Sequence, residues 1–234
     1  MGDFRASSTE AILGALAKNG SFAVLETQRD AWVAEIEFLR ERLRGLSGAI
    51  FFEFSIPRMG RRIDVVLLIA GVVFVVEFKV GASTFEGAAI DQVWDYALDL
   101  KNFHEASHHL TIVPLLVATD ADVRTATVHR DADGVVRPVP VSSSSFRDVI
   151  DLAASRFAAE QIDAEISEAL ASRQPRRAIE AVASIQPIIG RFFDEVRVVV
   201  PEPRLKNARL SLLMDFSEAV SRFGDPSAFV RKPA

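Results

Sequence analysis

The sequence predicts an α/β protein, a mixed sheet flanked by helices and followed by a C-terminal α-helical bundle. Three observations carry this expectation. The stretch Val65 to Val76 is uncharged and Gly71 divides it into two β-branched runs, the pattern of a hairpin of buried strands. Apolar residues on either side of the hairpin recur at helical spacing. Beyond Ser142-Ser143-Ser144-Ser145 strand signals nearly vanish. A domain boundary is placed there, with 1–145 as the α/β domain and 146–234 as the helical one.

The elements follow in chain order. Ser8 to Lys18 reads as a short helix, capped by Ser7 or Ser8 and stopped near Asn19-Gly20. Thr27 is placed to cap a second helix, Gln28 to about Arg44, whose apolar stripe is Trp32, Ile36, Leu39 and Leu43. Gly45 and Gly48 close it. Ile50 to Ile56 is a strand ended by Pro57. Arg61 to Ala70 and Val72 to Val80 form the hairpin, and Gly81 to Thr84 the turn after it. A helix from Phe85 or Glu86 to His104 puts Ile90, Val93, Ala97 and Leu100 on one face. Thr111 to Ala118 is a hydrophobic strand in which Pro114 predicts a local bulge. Two weaker strands, Val123 to His129 and Val135 to Val139, come next. In the C-terminal part, 146–172, 175–193 and 205–223 read as helices, interrupted by a β-like piece from Val196 to Val200.

Composition narrows the function classes. A chain of 234 residues holds one large or two small domains, and an apolar fraction of 49% supplies an ordinary core. The uncharged run is too short to cross a bilayer, which needs ~20 apolar residues, so no membrane partner is expected. Met1 to Ala11 lacks the hydrophobic block of a signal peptide. Cysteine is absent, which removes disulfides, thiolate zinc sites and cysteine nucleophiles and fits a cytoplasmic location. A net charge of −5 excludes a uniformly cationic nucleic-acid binder, so any such binding must use local patches.

The hairpin's ends carry the chemistry. Asp64 starts its first strand and Glu77 ends its second, so antiparallel pairing returns one to the other. Glu77 and Lys79 share a face because side chains alternate along a strand. Two carboxylates and an ammonium thus converge at one edge of a dry sheet. Acids and bases at strand ends are commonly solvated, but charges flanking a core need a partner or a metal. The arrangement is a site for a divalent cation with a positive group beside it.

Asp64, a short spacer and Glu77-x-Lys79 on a buried strand resemble the PD-(D/E)XK nuclease superfamily, with Ile63 in place of the leading Pro. The text IPRMGRRIDVVLL…VVFVVEFKVG…DQVWDYALDLKNFHEASH is also similar to nuclease-like domains found ahead of Schlafen-type helicases, over about residues 1 to 140. Gln92 and Tyr96, at i and i+4 on the following helix, resemble the QxxxY motif of the RecB-type branch. The resemblance implies a restriction-endonuclease-like fold and a centre of Asp64, Glu77, Lys79, Gln92 and Tyr96. Mg²⁺ or Mn²⁺ would be held by Asp64, Glu77 and the carbonyl of Phe78, with Lys79 positioning water or offsetting transition-state charge.

Other residues are candidates for support. Glu53 is expected to face the same site or to be a solvated strand-edge acid. Glu35, flanking the second helix's stripe, is an accessory acid or a surface one. Arg58, Arg61 and Arg62 form a basic cluster with no nearby acid in sequence, able to grip phosphates or simply to line a solvated turn. Lys101 and His104 lie one helical turn apart, within reach of a nucleic-acid backbone. His104, His108 and His109 lack the spacing of a zinc site and read as a polar helix end.

Residues 165 to 229 resemble the DALR-type anticodon-binding domain of the bacterial glycyl-tRNA synthetase β subunit, with Pro203-Arg204-Leu205-Lys206 in place of Asp-Ala-Leu-Arg. Arg173 to Arg209 holds eight basic residues against four acids in a chain of net charge −5. That basic stretch fits an RNA surface that includes Arg204, Lys206 and Arg209, or the solvated face of a small bundle.

The leading expectation is a metal-dependent nuclease acting on structured RNA such as tRNA, with a defence role. The alternatives are a RecB-like or restriction-like DNA nuclease whose helical tail serves oligomerisation or docking, and a non-catalytic nucleic-acid-binding module. No GxxxxGK[ST] loop is present, so a helicase partner would be a separate polypeptide. A homodimer is the other expected assembly.

Overall fold

The computed structural model describes residues 1–19, 26–56, 60–122 and 127–171. Three helices lead the chain: α1 (Gly2–Ala6), α2 (Thr9–Asn19) and α3 (Glu26–Arg42). Three strands follow, β1 (Ala49–Ser55), β2 (Arg62–Ile69) and β3 (Val72–Lys79), and then α4 (Gly87–Phe103). Two further strands, β4 (Ile112–Ala118) and β5 (Val139–Ser142), precede the long helix α5 (Phe146–Ala171). The five strands form one sheet in the order β1-β2-β3-β4-β5. β1, β2 and β3 are antiparallel neighbours, whereas β3, β4 and β5 run parallel. The mixed α/β sheet with flanking helices is therefore present. The helices expected beyond residue 171, and the Val196 to Val200 piece, lie outside the described residues.

Local chemistry accounts for the element ends. Ser8 Oγ accepts the Ala11 N–H at 3.2 Å and caps α2 as expected. α3 begins at Glu26, so Thr27 lies inside its first turn and does not cap it. The hairpin turn is the two residues Ala70 and Gly71, at φ +51° and +78°. Positive φ at both positions is the geometry that matches strand twist in a two-residue loop.

Two expectations are corrected. Pro114 makes no bulge, because the β3–β4 register runs unbroken from Val73↔Ile112 to Lys79↔Ala118. Ile112 N–H donates to the Gly134 carbonyl, so the Pro114 nitrogen, two residues on, faces that same side. There the neighbouring chain makes only an isolated bridge before β5 begins, and no donor is missed. Of the two weak strands, 127–129 holds none. Val135 and Val136 make isolated bridges, and the true strand starts where the second was expected to end. The serine run is a packed turn. Ser142 N–H donates to Ser145 Oγ at 3.0 Å, Ser143 Oγ donates to the Thr119 carbonyl at 2.7 Å, and Ser142 and Ser145 are buried.

Met1–Ala153 forms one compact unit and Ala154–Ala234 a second, so the opening of α5 belongs with the sheet. Arg147 secures it there, donating to the Arg44 carbonyl at 2.6 Å beyond the end of α3. Phe38 of α3 stacks edge-on with Phe78 of β3 and Phe146 of α5, at 5.4 and 5.0 Å. On the other side, Ala89, Val93, Ala97 and Leu100 of α4 pack with Val66, Val73, Val75 and Leu116. β3 and β4 are thus covered on both faces, which explains their unbroken apolar text.

Candidate active site

The site lies where β2 and β3 part. Their register ends at Val65↔Val76, and one residue further along it Asp64 stands opposite Glu77. The ladder stops there because the Asp64 side chain takes over its hydrogen bonding, Oδ2 accepting the Phe78 N–H at 2.9 Å. Phe78 faces α3 through its ring contact with Phe38, while its neighbour Glu77 meets α4. This alternation, imposed by the strand, is what aims the acid at the helix carrying Gln92.

Glu77 is held from two directions. Its Oε1 accepts from Lys79 Nζ at 3.1 Å and from Gln92 Nε2 at 2.8 Å. Gln92 also donates to the Tyr96 hydroxyl at 2.9 Å. The structure thus brings together Asp64, Glu77, Lys79, Gln92 and Tyr96, all expected from sequence. The other oxygen, Glu77 Oε2, is buried without a donor among the described residues. With both acids ionised neither can donate to the other; with one proton between them they hydrogen-bond. Burial first, and the Asp64 charge second, push the Glu77 carboxyl up to about 7. Burial likewise raises Asp64, against the lowering effect of the Phe78 N–H and Lys79.

Two further acids border this pair. Glu35 of α3 is buried and is pushed up to about 9 by burial and then by the charges of Asp64, Glu53 and Glu77. It is no surface acid. Glu53 falls in β1 between the pairs Phe52↔Val65 and Phe54↔Ile63, which sets it opposite Asp64. Glu53, Asp64 and Glu77 therefore occupy one row across three adjacent strands, spaced by about 4.8 Å per strand. Glu53 is not a simple continuation of that row, since its φ is +49°. Such a conformation costs a non-glycine residue about 1–3 kcal/mol. Its carboxylate is fully engaged, Oε1 by the Trp32 indole N–H at 2.6 Å and Oε2 by Arg62 Nε at 3.1 Å.

Among the described residues, no three His, Cys, Asp or Glu side chains are grouped to hold a metal ion. Glu35 and Glu53 thus do not join Asp64 and Glu77 around a common point. Of the expected metal donors, the structure brings Asp64 and Glu77 opposite each other, with Phe78 tied to Asp64 through its N–H. Two carboxylates with water are the kind of oxygen donors that could hold Mg²⁺ or Mn²⁺.

The basic candidates fare differently. Arg61 is paired with Asp95 and Asp99 of α4 at 3.4 and 3.3 Å, and Arg62 with Glu53, so the cluster is not without acids as the sequence implied. Folding brings those acids from other elements. Lys101 Nζ donates to the Leu110 carbonyl at 2.9 Å, fastening the end of α4. His104 is engaged with Ser107 at 2.7 Å and packs edge-on against Phe54. Both are tied to neighbouring chain by these contacts. Arg58, Arg204, Lys206 and Arg209 lie outside the described residues. Trp32 is the functional neighbour that sequence reasoning missed. It reads as one apolar stripe residue among four, and only the need of a buried indole N–H for an acceptor hinted at more.

Comparison with protein-family models gives no match, and comparison with curated proteins gives none. Among the described residues no helix is long and apolar enough to cross a membrane.

Proposed function

We propose that this protein is a metal-dependent phosphodiester hydrolase, a nuclease, whose centre is Asp64, Glu77 and Lys79 on a restriction-endonuclease-like sheet. The observation that carries the reading is the pairing of buried Glu77 with half-buried Asp64, with Lys79 Nζ 3.1 Å from Glu77 and one Glu77 oxygen left without a donor among the described residues. Two like charges side by side, one of them buried, are unfavourable unless a proton or a cation sits with them. Bound Mg²⁺ or Mn²⁺ would supply the positive charge that polarises a phosphoryl oxygen and acidifies water.

This chain's own residues supply the rest. Asp64 commits Oδ2 to the Phe78 N–H, which fixes its carboxyl and leaves Oδ1 for the cation. Gln92, steadied by Tyr96, fixes the Glu77 carboxyl through Oε1, so that Oε2 would be available to the cation. The Lys79 ammonium is positioned to offset charge growing on the phosphate. The preference for structured RNA such as tRNA comes from the likeness of residues 165 to 229 to an anticodon-binding domain, and the defence role from joining that likeness to a nuclease.

The test is incubation of the purified chain with tRNA, single-stranded DNA and duplex DNA, in Mg²⁺ or in EDTA. Chelator-sensitive loss of tRNA alone is the expected result. Cleavage confined to DNA would replace the RNA reading with a DNA nuclease, and binding without cleavage of any substrate would leave a non-catalytic module.

A further inference from the structure

The Glu53–Arg62 pair is the feature of this site that the hydrolytic reading does not use, and a role for it in substrate binding rests on that reading. The two oxygens of Glu53 are held very differently. Trp32, which takes Oε1, is 4% exposed, so that contact is fixed. Arg62, which takes Oε2, is 48% exposed in its side chain and sits two residues before Asp64, at the open start of β2. Arg61 beside it is already divided between Asp95 and Asp99. Among the described residues, Arg62 is therefore the guanidinium next to the acid pair with a single acidic partner, and that partner has a second support.

We propose that Arg62 is shared between two anions, Glu53 in the free protein and a phosphodiester group of the nucleic acid in the complex, so that Glu53 is an intramolecular competitor for substrate. The guanidinium fork matches carboxylate and phosphate oxygens equally well. An ion pair this exposed holds its partner by a factor of no more than about five, so a phosphate delivered by a polyanion displaces it readily. Glu53 is not stranded by the exchange, because the Trp32 N–H remains on Oε1 and the Glu53 side chain keeps 19% of its surface exposed. The positive φ of Glu53 fits this arrangement, since it accompanies a carboxylate drawn to Trp32 and Arg62 instead of continuing the row with Asp64.

The experiment is a double-mutant cycle on the full chain, read by fluorescence anisotropy of labelled tRNA and labelled single-stranded DNA in EDTA. Glu53→Gln, which keeps an acceptor for Trp32, is expected to tighten binding about two- to fivefold. Arg62→Gln is expected to weaken it by at least as much and to lower the salt slope by about one. The double variant should bind as Arg62→Gln does alone. Arg62→Lys, which keeps the charge but loses the fork, should fall between native and Arg62→Gln and serves if Glu53→Gln fails to fold. Tightening by Glu53→Gln that persists undiminished in the Arg62→Gln background would mean a general field effect and overturn the proposal. So would an Arg62→Gln variant that binds like the native chain. Absence of binding to either probe by the native protein would instead sink the nucleic-acid reading itself.

Discussion

Replacing Glu77 with Gln is expected to lower metal-dependent cleavage by about 10³-fold or more, while nucleic-acid affinity in EDTA stays within about threefold of native. Gln keeps the volume and the contact to Gln92, so the sheet edge has no cavity to close. What it loses is charge, and a single remaining carboxylate, Asp64, is a poor site for a hard divalent ion. Lys79→Ala is expected to cost about 10²- to 10³-fold, because its ammonium touches Glu77 at 3.1 Å while its side chain stays 37% exposed, within reach of solvent-borne substrate. Single-turnover cleavage and anisotropy on the same preparations measure both. Comparable cleavage by native and Glu77→Gln protein would place the chemistry elsewhere.

The second large effect is on stability. Glu35→Gln is expected to stabilise the metal-free protein by about 2–4 kcal/mol at pH 8 and to change little near pH 5. Glu35 has its folded carboxyl raised from 4.5 to about 9, chiefly by burial. An acid raised on folding binds its proton more tightly in the folded chain than in the unfolded one. Its favourable contribution is complete below pH 4.5 and is lost progressively as pH climbs toward 9. Glu77, raised to about 7, adds the same sign over a narrower window. The native protein in EDTA should therefore lose stability from pH 5 to pH 8, with Glu35→Gln losing less. Urea unfolding at the two pH values reads this directly. A native stability that rises over that range would show that these acids are not buried together.

The sheet was readable in the sequence because its signals were local and mutually consistent. The apolar run with Gly71, the acids at its ends and the i, i+4 pair Gln92 and Tyr96 each follow from spacing alone. What was not readable depends on partners distant in the chain. Arg61 looks unpaired until α4 brings Asp95 and Asp99 beside it. Lys101 looks solvent-facing until the chain returns with the Leu110 carbonyl. The serine run imitates a linker by composition, and only the approach of the Thr119 carbonyl makes it a buried turn. Pro114 looks like a sheet defect until its nitrogen is seen to face a gap between pairings. Glu53 is the extreme case. Alternation put it near the site, but its positive φ and its hold on Trp32 and Arg62 have no signature in the sequence.

The most direct measurement is an anomalous difference map from crystals soaked in Mn²⁺. A peak bridging the Asp64 and Glu77 carboxyls, within bonding distance of the Phe78 carbonyl, is the predicted result. It should be absent from Glu77→Gln crystals treated in the same way. Manganese bound only at other acids, with the Asp64–Glu77 pair empty and sharing a proton, would contradict the account.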